Sequence, residues 1–246
     1  MTTHLLIDNS NSFTKFGLAD DSGLKEVKRI PTPLLSHESL ADLSARWTFD
    51  EVTVCSVVPR VRNLLLEFFA PKNPRRVTPA AQLGFAIDYP TPNGIGEDRL
   101  ANAAWLVAEK RSPAIVIDFG TAVTFDVVDD RPAYIGGIIA PGLRAMTDYL
   151  HECTAQLPRV SLTERPPVLG KTTEEAMQSG AFHGYRGLIR GILAPLCDHM
   201  KTKQLSVFAT GGYADLITAE MPEITAIVPD LTLLGILAVA RLNPLR

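Results

Sequence analysis

Polar and apolar positions change period along the chain, and each change marks an element. Leu5-Leu6-Ile7 is an apolar run that ends in Asp8, crosses the polar turn Asn9-Ser10-Asn11-Ser12 and resumes as a strand to Leu18, which predicts a hairpin. Residues 25–30 form a third strand closed by Pro31 and Pro33. Helical spacing covers 40–47 and 60–70, on either side of a strand at 51–59, and a short strand follows at 76–78. Residues 100–108 are strongly helical. A second β-branched run, 114–117, ends in Asp118, turns at Gly120-Thr121 and alternates to Asp126. Next come an apolar stretch at 134–141, a helix from Leu143, a break at Arg165-Pro166-Pro167, helical segments at 174–180 and 181–199, a strand at 204–210 and a last helix at 229–241.

The two hairpins read as copies. Without gaps, Ile7 matches Ile117, Asp8 matches Asp118, Ser10 matches Gly120, Asn11 matches Thr121 and Thr14 matches Thr124, all 110 residues apart. An offset of that size predicts two duplicated domains, 1–112 and 113–246, rather than a solenoid. Antiparallel strands followed by α/β alternation give an α/β class, and 246 residues with 46% hydrophobic content suffice for a sizeable core.

Composition narrows the partners. The net charge is -3, and Lys and Arg are scattered, densest at Pro74-Arg75-Arg76, so no nucleic-acid footprint is expected. The N-terminus has no signal-peptide pattern and no apolar run reaches roughly 18 residues, which predicts a cytoplasmic protein with no membrane partner. Cys55, Cys153 and Cys197 lie far apart without a Cys-x-x-Cys pair, and His151-Glu152 lacks a second His four residues on, so neither a disulfide framework nor a zinc site is expected. Any catalytic metal is then held by carboxylates or arrives with a nucleotide.

The candidate chemistry sits in turns and helix starts. Asp118, Gly120 and Thr121 combine a carboxylate, close backbone approach and a hydroxyl, which suits a metal-bound phosphate. A plain hairpin whose Asp and Thr satisfy turn amides would look the same in isolation, and the second copy tips the balance. A loop stiffened by Pro90 and Pro92 and turned by Gly94 and Gly96 delivers Glu97-Asp98-Arg99 into a first helical turn, where acids also complement the helix dipole. Pro141-Gly142 precedes a helix whose free amides suit an anion. Gly170-Lys171-Thr172 is no Walker loop, because Arg165 stands where Gly is required, and Asp118-Phe119-Gly120 lacks every other protein-kinase motif.

Taken together, the two Asp-x-Gly-[Asn/Thr]-type hairpins, Gly96-x-Asp98-Arg99, the Gly-Gly-x-Ile-x-Pro-Gly element at 136–142, Gly170-x-x-Thr173 and Thr210-Gly211-Gly212 resemble the type III pantothenate kinases of the actin, Hsp70 and sugar-kinase superfamily. The resemblance implies duplicated ribonuclease H-like (actin-like ATPase) domains, with mixed β-sheets flanked by helices and the two hairpins facing each other. It implies ATP-dependent phosphorylation of pantothenate to 4'-phosphopantothenate, the first step of coenzyme A biosynthesis. Asp98 is then the catalytic carboxylate, Arg99 the fork for the substrate carboxylate, and Tyr89, Gly96 and Glu97 further substrate contacts. Thr173 is expected from the partner subunit of a homodimer with a shared site. ATP falls to Asp8, Asn9, Ser10, Asn11, Ser12, Phe13, Thr14 and Lys15 of the first turn, to Thr121, and to Gly211 and Gly212. Asp8 is expected to hold magnesium through the phosphates and Asp118 a potassium or ammonium ion. Ser10 departs from the family pattern, which has Gly there; a Cβ at that point either crowds the phosphates or sits in a wider turn. That departure is the main support for the alternative, a non-catalytic regulatory or binding protein of the same fold.

Overall fold

The computed structural model describes residues 2–202 and 204–245; Met1 and Arg246, the outer ends of the two expected domains, lie outside them. In chain order the elements are β1 (His4–Asn9), β2 (Phe13–Asp20), β3 (Gly23–Pro31), α1 (His37–Ser44), β4 (Glu51–Ser56), α2 (Pro59–Phe68), β5 (Arg75–Arg76), β6 (Ala86–Ile87), α3 (Glu97–Ala108), β7 (Ala114–Phe119), β8 (Ala122–Val128), β9 (Ala133–Pro141), α4 (Leu143–Cys153), α5 (Thr173–Met200), β10 (Ser206–Gly211), α6 (Ala214–Thr218), β11 (Ala226–Ile227) and α7 (Leu231–Leu242). No helix among the described residues is long and apolar enough to cross a membrane.

The duplication is visible in the sheets. The first has the order β3-β2-β1-β4-β5, and the second repeats it as β9-β8-β7-β10-β11 with β6 added in parallel beyond β9. β2 runs antiparallel to β1 while β4 runs parallel to it, and β8 and β10 stand in the same relation to β7. β1 and β4 are buried almost throughout, as expected of central strands covered on both faces, so their sequences run apolar without alternation. β3 is the edge strand, mostly exposed and guarded by Lys25, Lys28 and Arg29. Leu5, Ile7, Val52 and Val54 pack with Leu40, Leu43, Trp47, Leu65 and Phe69 in the core of the first unit.

The gapless alignment of the two hairpins slips at the turn. Asp8 pairs with Lys15 across β1 and β2, but Asp118 pairs with Thr124 across β7 and β8, so the first turn is one residue longer. Thr124 is therefore the counterpart of Lys15, not of Thr14. Two other boundaries also moved. Pro59 opens α2 instead of closing β4, because the first helical position needs no N–H. The segments at 174–180 and 181–199 are one helix of 28 residues that tolerates Pro195. β6 and β11 have two residues each, too few to leave a periodic signal.

The chain divides into compact units of Met1–Ser112, Asp130–Gly136 and Asp230–Arg246 on one hand, and Pro113–Asp129 and Gly137–Pro229 on the other. A cut at 112/113 thus misassigns the last helix. α7 follows β11 as α3 follows the strands of the first sheet, yet it packs on α3, β1 and β4. Both helices are buried along most of their length, and they meet where Gly235 lies against the Ala101 carbonyl; a Cβ on Gly235 would fall 1.9 Å from that oxygen. Thr232 Oγ1 donates to Asn102 Oδ1 at 3.0 Å beside the crossing.

Gly235→Ala sets two effects against each other. Alanine gains about 1 kcal/mol in helix propensity, but overpacking a close helix contact costs typically 1 to 3 kcal/mol or more, and here the overlap is with backbone, which cannot turn aside. The expected outcome is net destabilisation, read as a melting temperature lower by several degrees, at roughly 2 to 4 °C per kcal/mol for a chain of this size. An unchanged or higher melting temperature would mean that the helices slide apart at no cost.

Candidate active site

In the first unit, the turn after β1 rests on a buried polar network. Asn9, only 1% exposed, donates from Nδ2 to Thr14 Oγ1 at 2.8 Å and accepts at Oδ1 from Ser56 Oγ at 2.6 Å. Thr14 and Thr32 share a hydrogen bond of 3.0 Å between hydroxyls, and Thr32 donates on to the Ser10 carbonyl at 2.7 Å. The side chains of Asn9 and Thr14, expected among the nucleotide ligands, hold the turn from below through these bonds. Phe13 does not offer its ring either, since the Arg29 guanidinium lies over it at 3.3 Å from the centroid. Asn11 and Ser12 are exposed at the tip, and Asp8 is half-buried at the end of β1.

Ser10 turns out to be at ease. Its N–H and its hydroxyl both donate to the Phe13 carbonyl, at 3.0 and 2.9 Å. It is not among the residues with positive φ, so the turn makes no demand for glycine there. Its counterpart Gly120 also lacks a positive φ, and a Cβ on it would meet the Ala122 carbonyl at 3.3 Å and Asp118 Oδ1 at 3.9 Å.

The start of α3 explains the Gly-x-Asp-Arg spacing. Gly96 is the N-cap, with φ -58° and ψ 138°, angles open to any residue. Glycine is needed for space: a Cβ would lie 2.5 Å from Asp98 Oδ1, because the Asp98 carboxylate folds back over the cap and accepts from the Arg99 N–H at 2.8 Å. Burial pushes the Asp98 carboxyl above the usual carboxylate range, opposed by its hydrogen bond to the Arg99 amide and by the Arg99 charge. Glu97, expected on the substrate, forms an internal strut: 7% exposed, it accepts from the Ser56 N–H at 2.8 Å and from the Arg76 guanidinium. That strut ties the first turn of α3 to the end of β4. Cys55, the β4 partner of Asp8 in the sheet, is fully buried, and its thiol is pushed well up by burial and by the charges of Asp8, Asp98 and Glu97.

Beside Arg99 stand two tyrosines. The Arg99 guanidinium lies 5.7 Å from the ring centroid of Tyr134, which packs edge-on against Tyr89 at 6.3 Å. Tyr134 is fully buried and Tyr89 is 36% exposed. Gly136, at φ 132°, passes 4.0 Å from the Tyr89 ring, measured from where its Cβ would be. Tyr134 was not singled out from sequence, as an aromatic within an apolar run reads as core. Lys15 forms an ion pair with Asp230 at 2.8 Å, a partner 215 residues away that no local pattern could reveal.

In the second unit, Asp118 is half-buried at the end of β7, and Gly120 and Thr121 are exposed at the turn. Two glycines are shaped around them. Gly211 has φ 94°, and a Cβ on it would lie 2.7 Å from Asp118 Oδ1 and from the Phe119 backbone. Gly142 would place a Cβ 2.2 Å from the Thr121 carbonyl and 2.7 Å from that of Gly120, so α4 begins directly against the turn with no side-chain cap of its own. Gly212, by contrast, is exposed with nothing within 4 Å, room for a ligand to approach. At the head of α5 the cap is Thr172, whose hydroxyl accepts from Glu175 N–H at 3.1 Å, leaving Thr173 as an exposed first helical residue.

A carboxylate beside turn carbonyls suits a monovalent cation at Asp118. The Asp8 carboxylate, half-buried at the end of β1, is an oxygen ligand of the kind that suits a magnesium ion bringing phosphate ligands with it. No group of three or more His, Cys, Asp or Glu able to hold a metal occurs among the described residues.

Residues 4–195 match the family model described as type III pantothenate kinase. Curated relatives described by the same words include those of Akkermansia muciniphila, 46% identical over 242 residues that span 98% of this chain and 99% of that one. Another is from Methylacidiphilum infernorum, 42% identical over 94% of this chain and 86% of the relative. Among solved structures, a Baf family transcriptional activator from Campylobacter jejuni superposes with a TM-score of 0.61 at 22% identity, covering 98% of both chains. The activator of 2-hydroxyisocaproyl-CoA dehydratase from Clostridium difficile, solved with ADPNP, gives 0.56 at 11% identity, covering 96% and 93%. These two likenesses speak to the fold, an actin-like ATPase arrangement of α/β units.

The space at Gly96 yields a test. Gly96→Ala displaces the Asp98 carboxylate without changing any charge, and a shift of about 1 Å at a reacting group costs on the order of 10²-fold. Turnover should fall by about that factor with the melting temperature little changed. Full activity in this variant would show that the Asp98 position is not critical.

Proposed function

This chain belongs to the type III pantothenate kinase family and phosphorylates pantothenate with ATP, the first step of coenzyme A biosynthesis; on that premise we propose that Asp98 is the group that receives the proton of the reacting hydroxyl. The observation that carries this assignment is the fold-back of Asp98 over Gly96, which fixes a partly desolvated carboxylate at a helix start. Phosphoryl transfer has a loose transition state, so the acceptor needs position more than basicity. Arg99, against Tyr134, binds the pantothenate carboxylate through its guanidinium fork, and Tyr89 closes that side of the substrate.

The turn after β1 takes the phosphates with the tip at Ser10 to Ser12 and with Lys15, and the turn after β7 takes nucleotide through Thr121 and the amides at the start of α4. Gly211 and Gly212 line the adenosine. Asp8 holds magnesium through the phosphates and Asp118 holds potassium or ammonium; bound there, these cations neutralise phosphate charge. Ser10, settled by two hydrogen bonds in an unstrained turn, removes the main reason for reading the chain as a non-catalytic relative.

We also propose a homodimer in which Thr173 reaches the partner's substrate. In support, Val168 and Leu169 are 76% and 78% exposed just before Gly170, whose backbone packs on the first turn of α5, and Ile139 and Tyr149 of the same unit are 62% and 66% exposed. Apolar side chains this exposed call for cover.

An ADP-release assay with pantothenate tests the assignments. Asp98→Asn should lower turnover about 10²-fold or more while folding persists, and Arg99→Lys should mainly raise the pantothenate KM. Asp118→Ala should remove the response to potassium. Because Asp98 must be ionised to accept a proton and its carboxyl is raised, wild-type activity should fall on acidification before the ordinary Asp range is reached. Normal turnover in Asp98→Asn would exclude it as the acceptor. For the shared site, mixing inactive Asp98→Asn chains with inactive Thr173→Ala chains should restore activity through hybrid dimers. A monomer in sedimentation, or no rescue after subunit exchange, would rule sharing out.

A further inference from the structure

Lys15 stands on β2 opposite Asp8, and its ammonium meets Asp230 Oδ1 at 2.8 Å, with both side chains 28% exposed. Three features set Asp230 apart from a chance surface partner. Its backbone is left-handed, φ 54° and ψ 26°, a conformation that costs free energy for any residue but glycine and is best tolerated by Asn and Asp. It occupies the N-cap of α7, yet its side chain caps nothing there, whereas Thr172 at the head of α5 does accept from its helix. And α7 is immobilised directly behind it: Leu231 and Leu233 are fully buried, Thr232 is bonded to Asn102, and Gly235 is seated on the Ala101 carbonyl. A strained backbone and an unused cap, held in place by a clamped helix, aim one carboxylate at one lysine.

We infer that Asp230 is a positioning residue for Lys15. A lysine carries a point charge on four flexible carbons; a fixed carboxylate confines that charge to one place before the nucleotide arrives, so less ordering remains to be done on binding. The inference rests on the reading of Lys15 as a phosphate ligand. It adds that the last helix of the chain, not only the turn after β1, takes part in binding ATP. Asp230 touches neither substrate and acts through Lys15 alone.

The test uses Asp230→Asn, which keeps the shape of the side chain and the tolerance of a left-handed backbone while removing the charge. The readouts are calorimetric affinity for a non-hydrolysable ATP analogue, the KM of each substrate and the melting temperature. Asp230→Asn should weaken analogue binding about tenfold, within the range of coupling between contacting residues, with the pantothenate KM and the melting temperature nearly unchanged. Lys15→Met should weaken it at least as much, and the double variant should match Lys15→Met alone, since without the lysine there is nothing left to position. Wild-type affinity in Asp230→Asn, or an equal further loss when it is added to Lys15→Met, overturns the inference and leaves Lys15 as a phosphate ligand. A loss of melting temperature with both KM values raised together also overturns it, in favour of a structural tie. Unchanged affinity in Lys15→Met is a different failure: it removes Lys15 from the phosphates, and the positioning role with it.

Discussion

The contact on which the first unit depends is the seating of Gly235 on the carbonyl of Ala101. It lets two buried helices far apart in the sequence approach until one backbone touches the other. The N-terminus of each carries an acid that matters: Asp98 opens α3 and Asp230 precedes α7. A side chain at the crossing would disturb both starts, so the spacing of the carboxylate proposed as proton acceptor and of the proposed lysine clamp depends on a residue with no chemistry of its own. The same economy recurs at Gly96, Gly142 and Gly211, where an absent Cβ gives room to a carboxylate or to a turn.

Much of this was legible in the sequence, for reasons that can be named. Hairpins of apolar run, acid and polar turn announce themselves because strand burial and turn chemistry are local. The Gly-x-Asp-Arg element is legible because its chemistry is compressed into four residues. What stayed hidden was of two kinds. One is the internal bonding of a motif: Asn9, Thr14 and Glu97 hold their turns up from within, and only their burial and partners reveal it. The other kind is distance along the chain. Lys15 and Asp230 are 215 residues apart, and no window or period connects them.

The slip between the two hairpins shows how alignment by letter and alignment by hydrogen bond can disagree. Thr14 and Thr124 match in the sequence, yet one added residue in the first turn sets Lys15 opposite Asp8 where Thr124 stands opposite Asp118. The longer turn thereby gives the first copy a cation where the second has a hydroxyl. Duplicated halves that began alike have in this way acquired different charge, with the strand order of the two sheets unchanged. Ser10 is part of the same divergence, since a turn of that length has room for its hydroxyl to be bonded to the Phe13 carbonyl.

The assignment of Asp230–Arg246 to the first unit has a bearing on the life of the chain before it is ever an enzyme. Domains emerging from a ribosome tend to fold in the order in which they are made. Here the first unit lacks the helix that covers α3, β1 and β4 until the second unit has been translated. The apolar flank of α3 waits, unprotected, through the synthesis of the entire second unit, a period when holdase chaperones have their opportunity to bind. The unit begun first is thus the one completed last, and the two halves enter cellular quality control together.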